Sequence, residues 1–432
     1  MIAVRRLAPA ALALVLVLGA CGSSTRSRDA IRIGILTDCG GAFGGWYEVT
    51  VAGTELPLLQ RGARLAGKNP SDGVEGASVA GRPVKLVIGC GDGTIASALV
   101  QARRLVEQAG VDILIGPVTG EQEIALQAYA RRRPETTFVN GSGSAQVLDP
   151  ASNFFSFHTN GAQWTAGLGA YAYRRLGWRR AVTVTGTFGV FDWAETAGFI
   201  AEFCSLGGKI TKRITIEPAT TDYSAVVAQV PRSGVDGLMV ASTTDTVLAL
   251  ARALPEFRRQ AARKILVGTE AMLGSNPSVT RLGAGARGLL TGGIFYGNFA
   301  KYVAAYRRAF PHTAPALAGG AFDLFYYDAL AATLQALRAV HGDLSHGEAR
   351  FMAALAHVDL KAPNGRFRPD PRHQAAGPNY LLALQWPKLT FRVVRTIPDV
   401  EPSFGGYFSS HEPPPSGSTP ACVKRTPPVW AR

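Results

Sequence analysis

The sequence predicts an α/β protein of two doubly wound, Rossmann-like lobes joined at a hinge, and three observations carry that reading. From Ile31 onward, short apolar runs alternate with amphipathic helical stretches, the pattern of parallel strands linked by helical crossovers. The alternation then repeats in tandem, which implies two lobes of similar architecture. After Gly288 it gives way to long helices and antiparallel strands, so the chain crosses between the lobes about three times and leaves a cleft at the hinge.

The first lobe is expected over residues 31–157 and 292–357, the second over 158–291 and 358–397. Ile31 to Thr37 reads as a strand, followed by a helix from Tyr47 to Leu65 that tolerates Pro57. The strand Lys85 to Ile88 precedes a helix over Ala96 to Gln108. Asp112 to Ile115 precedes a helix over Glu121 to Arg132, and Thr137 to Val139 completes this set. The second set opens with a helix from Gln163 to Leu176. Its strands are Ala181 to Thr185, Gly237 to Ala241 and Ile265 to Val267, and its helices are Trp193 to Leu206, Tyr223 to Val230 and Thr246 to Leu254. Long helices at Lys301 to Phe310 and Phe322 to His341 carry wide apolar faces that must pack on an existing sheet. Gly365 to Arg368, Tyr380 to Gln385 and Thr390 to Val394 read as antiparallel strands. The Pro-rich tail over 398–432 is expected to be irregular and partly mobile, except where Cys422 holds it.

Ahead of the lobes, Arg5 and Arg6 precede an apolar run, Leu7 to Leu18, too short for a comfortable membrane span. Leu18-Gly19-Ala20-Cys21 then resembles the lipobox of bacterial lipoproteins. That resemblance implies a leader over 1–20, a tether over 21–30, and an acyl anchor on Cys21 that holds an exported protein at the membrane. An ordinary secretory leader with a chance cysteine is the alternative. No apolar stretch after Cys21 approaches the roughly 20 residues of a transmembrane helix.

The chain has 432 residues, 47% of them hydrophobic, and a net charge of +14. Its basic residues are scattered, with no aromatic-interleaved stripe, which argues against a nucleic-acid partner. Cys39, Cys90, Cys204 and Cys422 form an even set that permits two disulfides in three pairings. Cys39 and Cys90 each follow a predicted strand, and neighbouring parallel strands put such ends on one edge. Cys39–Cys90 is therefore the preferred bridge, and Cys204–Cys422 would then pin the tail to the second lobe.

Signatures of catalysis are scarce. Gly89-Cys-Gly-Asp-Gly93 follows a strand, but Thr94 stands where a dinucleotide loop has its third glycine, and there is no phosphate-loop motif. Asn140-Gly-Ser-Gly-Ser144 does not fit a nucleophile elbow. The seven histidines show no metal-binding spacing, and nothing assembles a nucleophile, base and oxyanion donor, so neither an enzyme nor a cofactor is expected. Binding chemistry is better supplied. Gly116-Pro-Val-Thr-Gly120 lies between a strand and a helix, where free N–H groups and the Thr119 hydroxyl suit a carboxylate, although Thr119 acting only as a helix cap is an equal reading. Ser142 and Ser144 follow the next strand, and Glu270 follows a strand of the second lobe.

The order of elements resembles the type I periplasmic binding proteins, and within them the leucine/isoleucine/valine-binding branch that serves ABC transporters. Ile31-Arg-Ile-Gly-Ile-Leu36 with Gly41-Ala-Phe-Gly-Gly-Trp46, Asp112 to Thr119, Thr221-Asp-Tyr-Ser-Ala225, Tyr327-Asp-Ala-Leu330 and Asn364-Gly-Arg-Phe367 carry the resemblance. It implies a clamshell that closes over a small solute. It implies further that Thr119, Gly120, Ser142 and Ser144 hold a ligand carboxylate, Glu270 takes an ammonium, Trp46 covers the ligand, and Phe322 lines a side-chain pocket. The chain departs from the pattern at Ser242-Thr243-Thr244-Asp245, where the second-lobe aromatic is replaced and Thr243 is the candidate contact. It departs again at Glu121, which brings a negative charge beside the binding turn. The implied ligand is thus an amino acid, a short amide, a urea-like molecule or another polar metabolite. The implied partner is an ABC permease, or a membrane receptor if the protein reports ligand instead of delivering it.

Overall fold

The computed structural model describes residues 30–432 apart from 187–188, 218–219, 243, 254–260, 270–272, 274–279, 282, 294–298, 316–320 and 389. The first lobe holds strands β1 (Ile31–Asp38), β2 (Arg64–Leu65), β3 (Val74–Glu75), β4 (Ser78–Val79), β5 (Arg82–Gly91), β6 (Ile113–Ile115), β7 (Thr137–Val139) and β8 (Phe154–Phe155). Its main sheet runs β4-β5-β1-β6-β7-β8, parallel except for β4, while β2 and β3 pair apart. Helices α1 (Tyr47–Leu59), α2 (Ile95–Arg103) and α3 (Gly120–Ala130) follow β1, β5 and β6.

In the second lobe α4 (Gly161–Trp164), α5 (Leu168–Arg174), α6 (Gly189–Ser205), α7 (Ser224–Gln229), α8 (Thr244–Ala253) and α9 (Ala261–Lys264) surround a second sheet. Its strands are β9 (Arg180–Thr185), β10 (Lys209–Thr215), β11 (Gly237–Ala241), β12 (Ile265–Thr269), β13 (Leu290–Gly293), β14 (Leu360–Ala362), β15 (Gly365–Pro369), β16 (Ala375–Gln385) and β17 (Thr390–Val400). They run β10-β9-β11-β12-β13-β16-β15-β14, with β17 on β16. Between β13 and β14 the chain returns to the first lobe as α10 (Phe299–Ala309), α11 (Phe322–Ala339) and α12 (Ala349–Ala356). It thus passes between the sheets three times, and the two-lobed α/β class read from the alternation holds.

Several elements differ from the sequence reading. The first helix stops at Leu59, not Leu65, because the chain turns at Gly62 and Arg64–Leu65 pairs with Val74–Glu75. The stretch read as one helix over Gln163 to Leu176 is two. Gly167 sits at φ 94°, and the buried Glu202 carboxylate takes the N–H groups of Gly167 (2.6 Å) and Ala170 (3.1 Å), giving α5 its own start. The edge strand β10 went unread, because only Ile210 and Ile214 are apolar among its charged neighbours. The tail is irregular as expected but is packed down. Phe404, Tyr407 and Phe408 are buried against Ala162, Ala194 and Ala197 of α4 and α6, because those small side chains leave an apolar groove that the rings fill.

Both expected disulfides are present. Thr37 lies opposite Cys90 in the β1–β5 register, so Cys39, two residues on, meets it with Cα atoms 5.5 Å apart. Cys204 near the end of α6 joins Cys422 with Cα atoms 5.3 Å apart, tying the tail to the second lobe.

Helices α1 and α11 cross closely over the first sheet. A Cβ at Gly53 would overlap the backbone of Asp323, so only glycine allows this approach. The close crossing buries Glu55 on α1, and neither of its carboxyl oxygens has a hydrogen-bonding partner among the described residues. Burial, with Glu48 and Asp72 nearby, pushes its pKa up to about 9. The folded-state value therefore exceeds the unfolded one. The stability Glu55 contributes is present in acid and is lost as pH rises toward about 9, at roughly 1.4 kcal/mol per pH unit. Glu55→Gln should raise the melting temperature at about pH 8 while changing it little near pH 4. Parallel melting curves for the two proteins across that range would count against a buried neutral carboxyl.

Candidate functional site

The loops at the carboxyl ends of the strands are where a doubly wound sheet holds its ligand, since helix starts present unpaired N–H groups there. In the first lobe these loops follow β1, β6 and β7. The turns after β6 and β7 are locked together, with Ser142 N–H donating to Pro117 O (2.9 Å) and the Ser142 hydroxyl to Val118 O (2.8 Å). Thr119 caps α3, its hydroxyl accepting from Gln122 N–H at 3.4 Å. Gln122 completes a capping box, its Oε1 accepting from Val118 N–H and Thr119 N–H at 3.3 and 3.2 Å. Its Nε2 donates to both Asp38 oxygens at 3.2 and 3.0 Å, tying the start of α3 to the end of β1.

The structure brings Thr119, Gly120, Ser142 and Ser144 into one place. Ser142 and Ser144 are buried, and their hydroxyl protons go to Val118 O and Ser142 O. In this arrangement the two serines have lone pairs to offer and no free proton. Trp46 and Phe322 form a second group. Their rings lie 5.4 Å apart, with Phe43 edge-on to Phe322 at 6.0 Å, and all three are half-buried. Thr243, Glu270 and Cys21 lie outside the described residues.

Three features escaped the sequence reading. Glu123, fully buried on α3, accepts from Asn140 Nδ2 (3.0 Å) and Ala145 N–H (3.1 Å), and so holds the turn after β7 against the helix. Burial pushes its pKa well up, against the pull of those two bonds. Tyr326 on α11 reaches beneath both turns and donates its hydroxyl to Leu36 O at 2.6 Å. Trp164 on α4 packs on Phe191 of α6 (5.3 Å) and on Phe325 of α11 (5.7 Å), so one aromatic cluster spans both lobes. None of the three left a local signal, since each acts through partners distant in sequence, whereas Gln122 is marked by the Thr-x-x-Gln spacing from Thr119.

Behind the turns, Glu123, Asn140, Ser156, His158, Gln163 and Gln374 line a polar crevice too narrow for a water molecule. Burial holds His158 down to about 4, so it is neutral where it stacks on Phe325 at 4.5 Å. This is hinge packing, not a ligand cavity.

The sequence model of the family described as "Periplasmic binding protein" matches residues 30–387. The chain belongs to the periplasmic binding protein family. The two-lobed clamshell that the residue motifs implied is therefore the family's own, in its type I form. In fold this family member is similar to an ABC transporter substrate-binding protein from Sphaerobacter thermophilus, at 22% identity, covering 86% of this chain and 98% of that one with a TM-score of 0.71. A solute binding protein from R. palustris in complex with benzoate matches at 18% identity, 86% and 97% coverage, and a TM-score of 0.66. A leucine binding protein from Thermotoga maritima matches at 16%, 85% and 99%, with a TM-score of 0.66. No curated protein sequence matches the chain. As a member it is a solute-binding protein of the extracytoplasmic kind, and no described helix is long and apolar enough to cross a membrane.

Glu123 is the test of whether this family member's polar turns depend on a buried cap. Glu123→Ala would leave the buried N–H of Ala145 without its acceptor, a loss of about 1–3 kcal/mol in denaturant unfolding. A loss below about 0.5 kcal/mol would show that the turn after β7 holds itself.

Proposed function

We propose that the protein is a lipid-anchored solute-binding protein that binds a small polar ligand, an amino acid or amide-like molecule, between its lobes and presents it to an ABC permease. The observation that carries this reading is the convergence of Thr119, Gly120, Ser142 and Ser144 at the carboxyl ends of β6 and β7. Phe191, half-buried on α6, brings an aromatic ring of the second lobe to the same meeting of lobes. The polar turns suit the ligand's charged or amide end, and Trp46 with Phe322 suits its apolar part. Glu270, next in sequence after β12, is the residue that the resemblance implies would take a cation from the second lobe. That similar folds carry leucine in one protein and benzoate in another supports a small ligand with an apolar body.

The anchor rests on Leu18-Gly19-Ala20-Cys21, and it would keep the clamshell beside its permease. Cys21→Ala should move the protein from the membrane fraction to the soluble one, and unchanged fractionation would remove the anchor from the reading. For the site, a thermal-shift screen of amino acids, amides and aromatic acids should find a stabilising ligand through mass action. If that ligand carries an ammonium, Glu270→Ala should weaken it by about 2 kcal/mol or more, some 30-fold in calorimetric Kd. Trp46→Ala should weaken any ligand found. A screen with no stabilising compound, or variants with wild-type affinity, would overturn the assignment.

A further inference from the structure

Glu121 is the second residue of α3 in the first lobe, yet its carboxylate does not serve its own helix. Thr119 and Gln122 already cap α3. The Glu121 side chain crosses the cleft instead, where Oε1 accepts from the N–H of Val190, in the first turn of α6 in the second lobe, at 3.1 Å. Both helices are shaped for this approach. Gly189 sits at φ 55°, and a Cβ there would overlap Glu121 Oε1. A Cβ at Gly120 would come within 2.7 Å of Val190 Cγ2. The N-terminal turns of α3 (11 residues) and α6 (17 residues) therefore abut across the cleft. Two such ends carry like partial charge and repel each other, and a carboxylate set between them is attracted to both.

We infer that Glu121 is an inter-lobe latch, its carboxylate capping α6 across the cleft and holding the lobes closed. It must release Val190 before the cleft opens. Since the latch biases an equilibrium between two lobe arrangements, removing it shifts populations without needing a ligand. The inference concerns closure alone and does not depend on what the cleft binds.

The test is a distance measurement between spin labels at exposed Lys68 in the first lobe and exposed Lys209 in the second. The labels are introduced as unnatural amino acids, so that both disulfides stay intact, and no solute is added. The wild type should give one dominant short separation. Glu121→Gln, which keeps the shape and removes the charge, should lower the closed-to-open ratio by about threefold or more, and Glu121→Ala by more again. Both should keep the wild-type circular dichroism, which separates an opened cleft from a damaged lobe. A wild type that is already open, or identical distance distributions in all three proteins, would overturn the latch. Neither result would bear on the ligand reading, which is measured separately.

Discussion

The fold depends on how it pairs backbone N–H groups wherever a strand end turns into a helix start inside the protein. Such donors are costly to bury alone. This chain answers with side chains that are themselves buried. Glu123 takes the donors of Asn140 and Ala145, Glu202 those of Gly167, Ala170 and the Trp430 indole, and Gln122 those of Val118 and Thr119. Asn160 and Gln163 repeat the reciprocal cap at the start of α4, and Gln163 Nε2 goes on to the carbonyls of Ala375 and Val400. Burial pushes the pKa of both Glu123 and Glu202 upward, while each accepted N–H bond pulls it down. The cleft loops are thus held by groups that work only while the surrounding packing is intact. A packing defect at α3 or α6 would reach the binding turns through these bonds.

Much of this architecture could be read from the sequence because it is local or periodic. The parallel strands showed as apolar runs, and once they were placed, Cys39 and Cys90 had to lie at neighbouring strand ends. The Thr119 cap was legible as a turn residue ahead of a helix, with Gln122 three positions on. What escaped was set by partners far along the chain. Gly167 breaks a helix because Glu202, 35 residues later, supplies a cap. Glu123 is one acidic residue in a polar helix start until the turn after β7 folds against it. The Glu121 charge stood out beside the proposed carboxylate turn, but its destination on α6 lies 69 residues away and in the other lobe.

Helix α6 links these observations into one mechanical unit. It is fastened three ways: near its C-terminus through Cys204 to Cys422 and through Glu202 to Trp430, and along its length by the tail rings packed on its alanines. The family match ends at residue 387, and the tail lies beyond it. β17 extends the second sheet along β16, and the tail then returns across α6 to end beside Arg174 and Arg395, which donate to the carbonyls of Ala431 and Trp430.

This strap stiffens the second lobe but also reaches the hinge. Leu148 of the first lobe shares the apolar cluster of Phe404 and Tyr407, and Gln146 Nε2 approaches Pro402 O at 3.5 Å. A lobe fastened to its own tail turns as one body, because bending α6 would tear out buried aromatic rings at a cost of several kcal/mol. Opening then falls on the contacts where α6 and its neighbours meet the first lobe. Three of these are the Trp164–Phe325 stack, the turn at Gly120 against Val190, and the Glu121 hydrogen bond. Of the three, the stack is non-directional and tolerates sliding, whereas the hydrogen bond is lost within about an ångström of movement. With Glu121 as the latch, the one directional bond between the starts of α3 and α6 is the first of these three contacts to be given up as the lobes part.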